Sequence, residues 1–175
     1  MGACRGTNRS RIRWIRTVIF ATVGTQLPFP RLIDALDGIA PELGEEIVAQ
    51  IGPGQEGKTW KHLDVRRHLT PSEYEILFTS ARVVVAHAGI GTILSARKWG
   101  KPLIILPRRH ALDEHRNDHQ LATANELKGL AGIHVAWEVE DLIPLLNAPV
   151  LAAMNGVPSP SHAALIIRLR QFIDT

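Results

Sequence analysis

A chain of 175 residues, 45% apolar and 21% charged, has the length and balance of one globular domain and excludes collagen, coiled coil and an intrinsically disordered chain. Its single cysteine, Cys4, excludes an internal disulfide framework and any multi-cysteine zinc site, and its longest apolar runs, residues 83–86 and 103–107, fall far short of the roughly 20 residues of a membrane-spanning helix. The net charge of +3 divides unevenly: Arg5, Arg9, Arg11, Arg13 and Arg16 supply five of the 20 cations, and without them 15 cations face 17 anions.

Residues 1–16 therefore read as a basic, disordered leader, which by charge could touch anionic lipid or nucleic acid. The nine aromatic residues do not alternate with arginine, so nucleic acid is not expected as a partner. Residues 17–23 form a β-branched apolar run, and from Phe29 the apolar residues Leu32, Ile33, Leu36 and Ile39 recur at helical spacing, which predicts strand, loop and helix. A second strand is predicted over 47–51 and is broken by the glycines and proline of 52–57; residues 60–69 carry no clear pattern. Thr70-Pro71-Ser72-Glu73 has the cap, first-turn proline and third-position acid of a helix start, so a helix to about Ser80 follows. Then come a buried-type strand over 81–86, a helix over 89–99 stopped by Gly100 and Pro102, a strand over 103–106, a polar loop over 107–116, a helix over 117–128, a short strand over 133–136 and an amphipathic stretch over 138–146. With 149–160 as linker and a last helix over 162–173, the β-then-α alternation implies a domain over 17–148 built on a parallel sheet with helices on both faces.

In such sheets ligands sit beyond the carboxyl ends of the strands, so chemistry is sought in the strand-to-helix loops. Three loops stand out. In Thr22-Val23-Gly24-Thr25-Gln26 the glycine follows a buried strand directly, where the backbone can approach a ligand. His87-Ala88-Gly89-Ile90-Gly91-Thr92 places glycines at a helix start, whose free amides and dipole suit a phosphate. It lacks the third glycine of a dinucleotide fingerprint and the lysine of a P-loop. The third loop runs from Pro107 to Gln120 and is dense in polar groups. His115 and His119, four apart, could share a metal, but Asp118 between them and the arginines nearby suit hydroxyl and phosphate recognition better, so no metal is expected; Arg108 or Arg109 could pair a phosphate.

Together T-V-G-T near the start, V-V-A-H-A-G-I-G-T-I-L, G-K-P-L-I-I-L-P-R and N-D-H-Q-L-A, in that order and spacing between about Thr17 and Leu127, resemble the C-terminal, donor-binding domain of family 28 glycosyltransferases. The resemblance implies the GT-B architecture, two Rossmann-like domains facing across a cleft, of which this chain has the length of one half. It is similar in this to the stand-alone small subunits of two-component enzymes of the dolichol-pathway and bacterial exopolysaccharide types, whose membrane-associated partner carries the acceptor half. The resemblance implies a UDP-sugar as donor, no cofactor beyond it, and transfer to a lipid-linked or polysaccharide acceptor at the cytoplasmic membrane face. Gly24 and Thr25 would face the donor phosphates or sugar, and His87, Ala88, Gly89, Gly91 and Thr92 would hold the pyrophosphate. Asn117, Asp118, His119 and Gln120 would read the sugar hydroxyls, and Arg108 would lie near the uracil. Many members carry a glutamate for the ribose where Ser95 stands here. No catalytic base is assigned, the base being expected on the partner half, with Asp118 as the internal candidate. A non-catalytic nucleotide-sugar-binding module and a UDP-sugar epimerase relative are the alternatives.

Overall fold

Six short strands carry the fold: β1 (Val18–Thr22), β2 (Glu46–Gln50), β3 (Asp64–Arg66), β4 (Val83–Ala86), β5 (Leu103–Ile105) and β6 (Ile133–Val135). In the computed structural model, which describes residues 17–154, they form one all-parallel sheet in the order β3-β2-β1-β4-β5-β6. The expected leader, final helix and second half of the linker lie outside the described residues. The central strands are buried along their length, Val18 at the start of β1 alone being partly exposed, as a sheet covered on both faces requires. One face packs on α1 (Pro30–Leu43) and α5 (Leu142–Leu146) through Leu32, Ile33, Leu36, Leu142 and Leu146. The other packs on α2 (Pro71–Ser80), α3 (Ile90–Lys98) and α4 (His119–Leu127) through Phe78, Ile93, Ala96, Ala124 and Leu127. An aromatic group of Phe20, Tyr74, Phe78 and Trp99 joins α2 to the end of α3, with ring centroids 5.0–6.1 Å apart.

Two elements differ from the sequence expectation. The patternless stretch contains β3, a three-residue edge strand whose residues are only partly buried, so no alternation marks it. α1 runs on past Ile39 and through Pro41. A proline there removes the amide that would meet the Asp37 carbonyl, and the ring of His62 takes its place, Nδ1 lying 3.2 Å from that oxygen. The same approach joins Trp60 Nε1 and Lys58 Nζ to Asp34, at 2.8 and 2.9 Å, so residues 58–62 are fastened along the outer side of α1. α2 begins as expected, with Thr70 and Glu73 exchanging the two bonds of a capping box.

Candidate functional site

The strand order reverses direction between β1 and β4, and the crevice outside their carboxyl ends is where a parallel sheet of this topology receives a ligand. A cavity of about 750 Å³ opens there, floored by Thr22, Gln50, His87 and Arg108 at the ends of β1, β2, β4 and β5. Thr22 Oγ1 donates to Gln50 Oε1 at 2.6 Å and accepts the amide of Gly24 at 3.3 Å, which turns the chain sharply out of β1 with Gly24 at φ +78°. α3 begins at the cavity with no side chain capping it and no acid in its first turn. Its first amides therefore have no intrahelical partner, and Gly91 and Thr92 line the opening they face.

The His87 ring lies between Gly24 and Gly89. A Cβ on Gly24 would stand 3.0 Å from its Cε1, and one on Gly89 only 2.2 Å from its Nε2. The absence of a side chain at Gly89 thus makes room for an imidazole of the chain itself. Burial, reinforced by the cation of Arg108 and more weakly by His115, lowers the His87 pKa to about 4; the Thr22 backbone opposes the shift. In this setting the ring is neutral at physiological pH.

The polar third loop satisfies itself and its neighbours. Arg108, 2% exposed, donates from Nη2 to the carbonyls of Val23 (3.1 Å) and Leu27 (2.8 Å), and from Nη1 to those of Pro28 and Glu114, while its guanidinium stacks 4.5 Å from the Phe29 ring. It clamps the β1–α1 loop, so the fork expected to meet uracil or phosphate is engaged by backbone. Burial lowers its pKa to about 10 against the pull of Glu114. Arg109 donates to the Trp137 carbonyl and to Glu138, and Glu114 takes a two-pronged bond from Arg31. Gln120, buried, lines the cavity and accepts the Arg108 amide on its carbonyl oxygen at 3.1 Å, leaving its NH2 group for a ligand.

Of the expected residues, the cavity brings together Gly24, Thr25, His87, Gly89, Gly91, Thr92, Arg108 and Gln120. It does not bring in Ala88, which is 3% exposed and packs in the core, nor Asn117, Asp118 and His119, which are exposed outside it. Asn117 Oδ1 accepts from His115 Nδ1 and the His119 amide, and Asp118 Oδ1 accepts the His110 amide at 2.9 Å, so both side chains shape the loop. Asp118 is accordingly out of place as a base. Among the described residues no three His, Cys, Asp or Glu side chains cluster as a metal site.

The structure adds a second wall that sequence reasoning missed, made by Leu69, Pro71 and Tyr74 at the start of α2 and by Trp99 at the end of α3 beside the expected Ser95, with Glu75 as the one carboxylate on the cavity among the described residues. Burial pushes the Tyr74 phenol up, and bonds to the Thr92 and Ser95 hydroxyls oppose it. Ser95 Oγ donates back to the Gly91 carbonyl at 2.9 Å. No local motif marks this wall; only the β3–α2 connection, hidden in the patternless stretch, brings α2 beside α3.

Residues 18–147 match the glycosyltransferase family 28 C-terminal domain. Among curated proteins the chain is 29% identical over 183 residues to the UDP-N-acetylglucosamine transferase subunit ALG13 of Eremothecium gossypii, covering 79% of this chain and 90% of that one. Among solved structures it resembles the NMR structure of ALG13 (TM-score 0.60, 19% identity, 91% of this chain and 98% of that one) and the crystal structure of the glycotransferase of kitacinnamycin (TM-score 0.57, 20% identity, 98% of this chain). The chain spans 43% of the kitacinnamycin enzyme's length. At these identities the structural likenesses establish the fold, a Rossmann-like half of the GT-B architecture.

Proposed function

The chain belongs to glycosyltransferase family 28 through its C-terminal domain, and from that premise we propose that it is the donor-binding subunit of a two-component transferase that moves a sugar from a UDP-sugar to a lipid-linked acceptor. The carrying observation is the uncapped start of α3 opening onto a cavity of about 750 Å³, a volume within the range of small-ligand sites. The first-turn amides, Gly91 and the Thr92 hydroxyl take the diphosphate. The wall of Leu69, Tyr74 and Trp99 takes the nucleoside, with Glu75 and Ser95 beside the ribose hydroxyls. Thr25 and the Gln120 amide meet the sugar.

As the anomeric C–O bond breaks, its electron pair passes to the β-phosphate oxygen, and the growing charge is met by the preoriented amides and dipole of the α3 start. The acceptor hydroxyl must lose its proton to a base. Asp118 lies off the cavity and Glu75 stands on the nucleoside wall beside the ribose, and by the family resemblance the base comes from an acceptor-half partner, whose membrane association would place the reaction at the cytoplasmic face. By analogy with the family, transfer inverts the anomeric centre. N-acetylglucosamine is the sugar to test first, because the sequence relative bears that name; no comparison favours an exopolysaccharide acceptor. Among the described residues no helix is long and apolar enough to cross a membrane.

Calorimetric titration with UDP, UDP-glucose, UDP-N-acetylglucosamine and UDP-glucuronate tests the reading. Micromolar binding, about −8 kcal/mol, with a preference for one sugar is the expected result. Absence of binding both to the chain alone and to the chain joined with its acceptor half would refute it.

A further inference from the structure

We propose that His87 is a positioning residue: its ring sets the separation between the Gly24 turn and the first turn of α3, and Gly89 is a glycine because the ring fills the space its side chain would need. The inference builds on the reading of the α3 start as the diphosphate site, and three observations carry it.

The first is steric. The 2.2 Å and 3.0 Å approaches that a Cβ would make at Gly89 and Gly24 are both to His87, whereas a Cβ at Gly91 would meet nothing within 4 Å. An open helix start therefore does not by itself demand glycine here; the ring does. The second concerns what holds the ring. His87 Nδ1 is buried without a partner of strict hydrogen-bond geometry among the described residues, the Thr22 backbone being the polar group that acts on the ring, so packing between the Gly24 and Gly89 backbones does most to fix its position. The third is electrostatic. The groups around it are Arg108 and His115 from the loop after β5 and the Thr22 backbone from β1, a setting that favours a neutral imidazole and unfits it to carry charge to a phosphate. A neutral, wedged ring can still control affinity, because amides that meet a diphosphate must be held to within a fraction of an ångström.

The test measures UDP-N-acetylglucosamine affinity and thermal midpoint of the full 175-residue chain in four forms: unaltered, Gly89→Ala, His87→Ala and the double variant. With the ring present, Gly89→Ala is expected to weaken binding by about tenfold or more and to lower the midpoint. With the ring removed, the same methyl enters vacated space and should change affinity by less than about twofold. Equal effects of Gly89→Ala in both backgrounds would overturn the proposal. Should Gly89→Ala fail to fold, recovery of a cooperative melt in the double variant supports the spacer role and failure to recover it counts against it.

A pH series separates spacing from charge donation. The diphosphate of a UDP-sugar is a diester and lacks the protonation step near pH 6 of a phosphate monoester. In a His115→Asn background, affinity should stay flat through the ordinary histidine range. A rise on acidification that vanishes on adding His87→Asn would show a charge donor and overturn the proposal. If no UDP-sugar binds the unaltered chain or its complex with the acceptor half, the functional reading fails, while the midpoints still decide whether ring and Gly89 are coupled.

Discussion

Replacing Arg108 by lysine keeps a cation at the cavity floor and removes the planar fork. One ammonium cannot reach the carbonyls of Val23, Leu27, Pro28 and Glu114 together, because the guanidinium meets them from two separate nitrogens. At least two buried or half-buried carbonyls lose a charged donor, at about 1–2 kcal/mol each. The stacking on Phe29, 4.5 Å away, contributes about 0.5–1 kcal/mol more. The expected loss is about 3 kcal/mol, which for a domain of this size lowers the midpoint by roughly 10 °C. Melts followed by circular dichroism, paired with UDP-sugar titration, read both quantities. If Arg108 served through charge on the diphosphate, the lysine variant would melt normally and bind nearly as well. A midpoint within about 2 °C of the unaltered chain would therefore refute the clamp.

Burial works to raise the Glu45 carboxyl, but bonds from Arg82 and Thr17 and the Arg82 charge outweigh it and hold the group below its ordinary 4.5. Its contribution is thus present above that value and lost as pH falls through the folded one; Glu45→Gln should cost about 1–2 kcal/mol at neutral pH and flatten the acid limb of a midpoint-against-pH curve. Thr70→Ala breaks the α2 capping box and should cost about 1 kcal/mol by urea denaturation. Two glycine substitutions should move in opposite directions. Gly38, inside α1 with nothing within 4 Å of a would-be Cβ, should gain about 1 kcal/mol on change to alanine. Gly132, at φ +89° with the Met154 backbone 2.2 Å from that position, should lose about 2 kcal/mol or more, since a crossing backbone cannot yield as a side chain can.

The apolar strands and α2 through α4 were legible because their signals are local: continuous β-branched runs, a capping box, a Gly-Pro stop. The two glycine loops were legible for the same reason, each following a buried strand. What escaped was long-range. The pairing of Arg31 with Glu114 spans 83 positions and that of Arg108 with the Leu27 carbonyl 81, so a loop that looked like a bare ligand-reader is in fact a self-satisfied brace. Asn117 and Asp118 were misplaced on that account, since their carbonyl and carboxylate oxygens cap amides two and eight residues away. The Tyr74 and Trp99 wall escaped because β3, too short and too exposed to show alternation, hides the connection that brings α2 to the cavity.

The proline within α1 has a dynamic consequence. Because the Asp37 carbonyl is met from residue 62 and not from its own helix, the later turns of α1 reach full bonding only when the segment from Lys58 to His62 has docked. The two stretches are therefore expected to exchange as one unit, opening together below the free energy of the sheet, which amide hydrogen exchange would check. That segment runs directly into β3 and from there to Leu69 and Pro71 at the cavity. An opening on the far side of the sheet, at a helix that never meets the ligand, is thereby transmitted to one wall of the site, and occupancy of that wall would slow exchange at α1 in return.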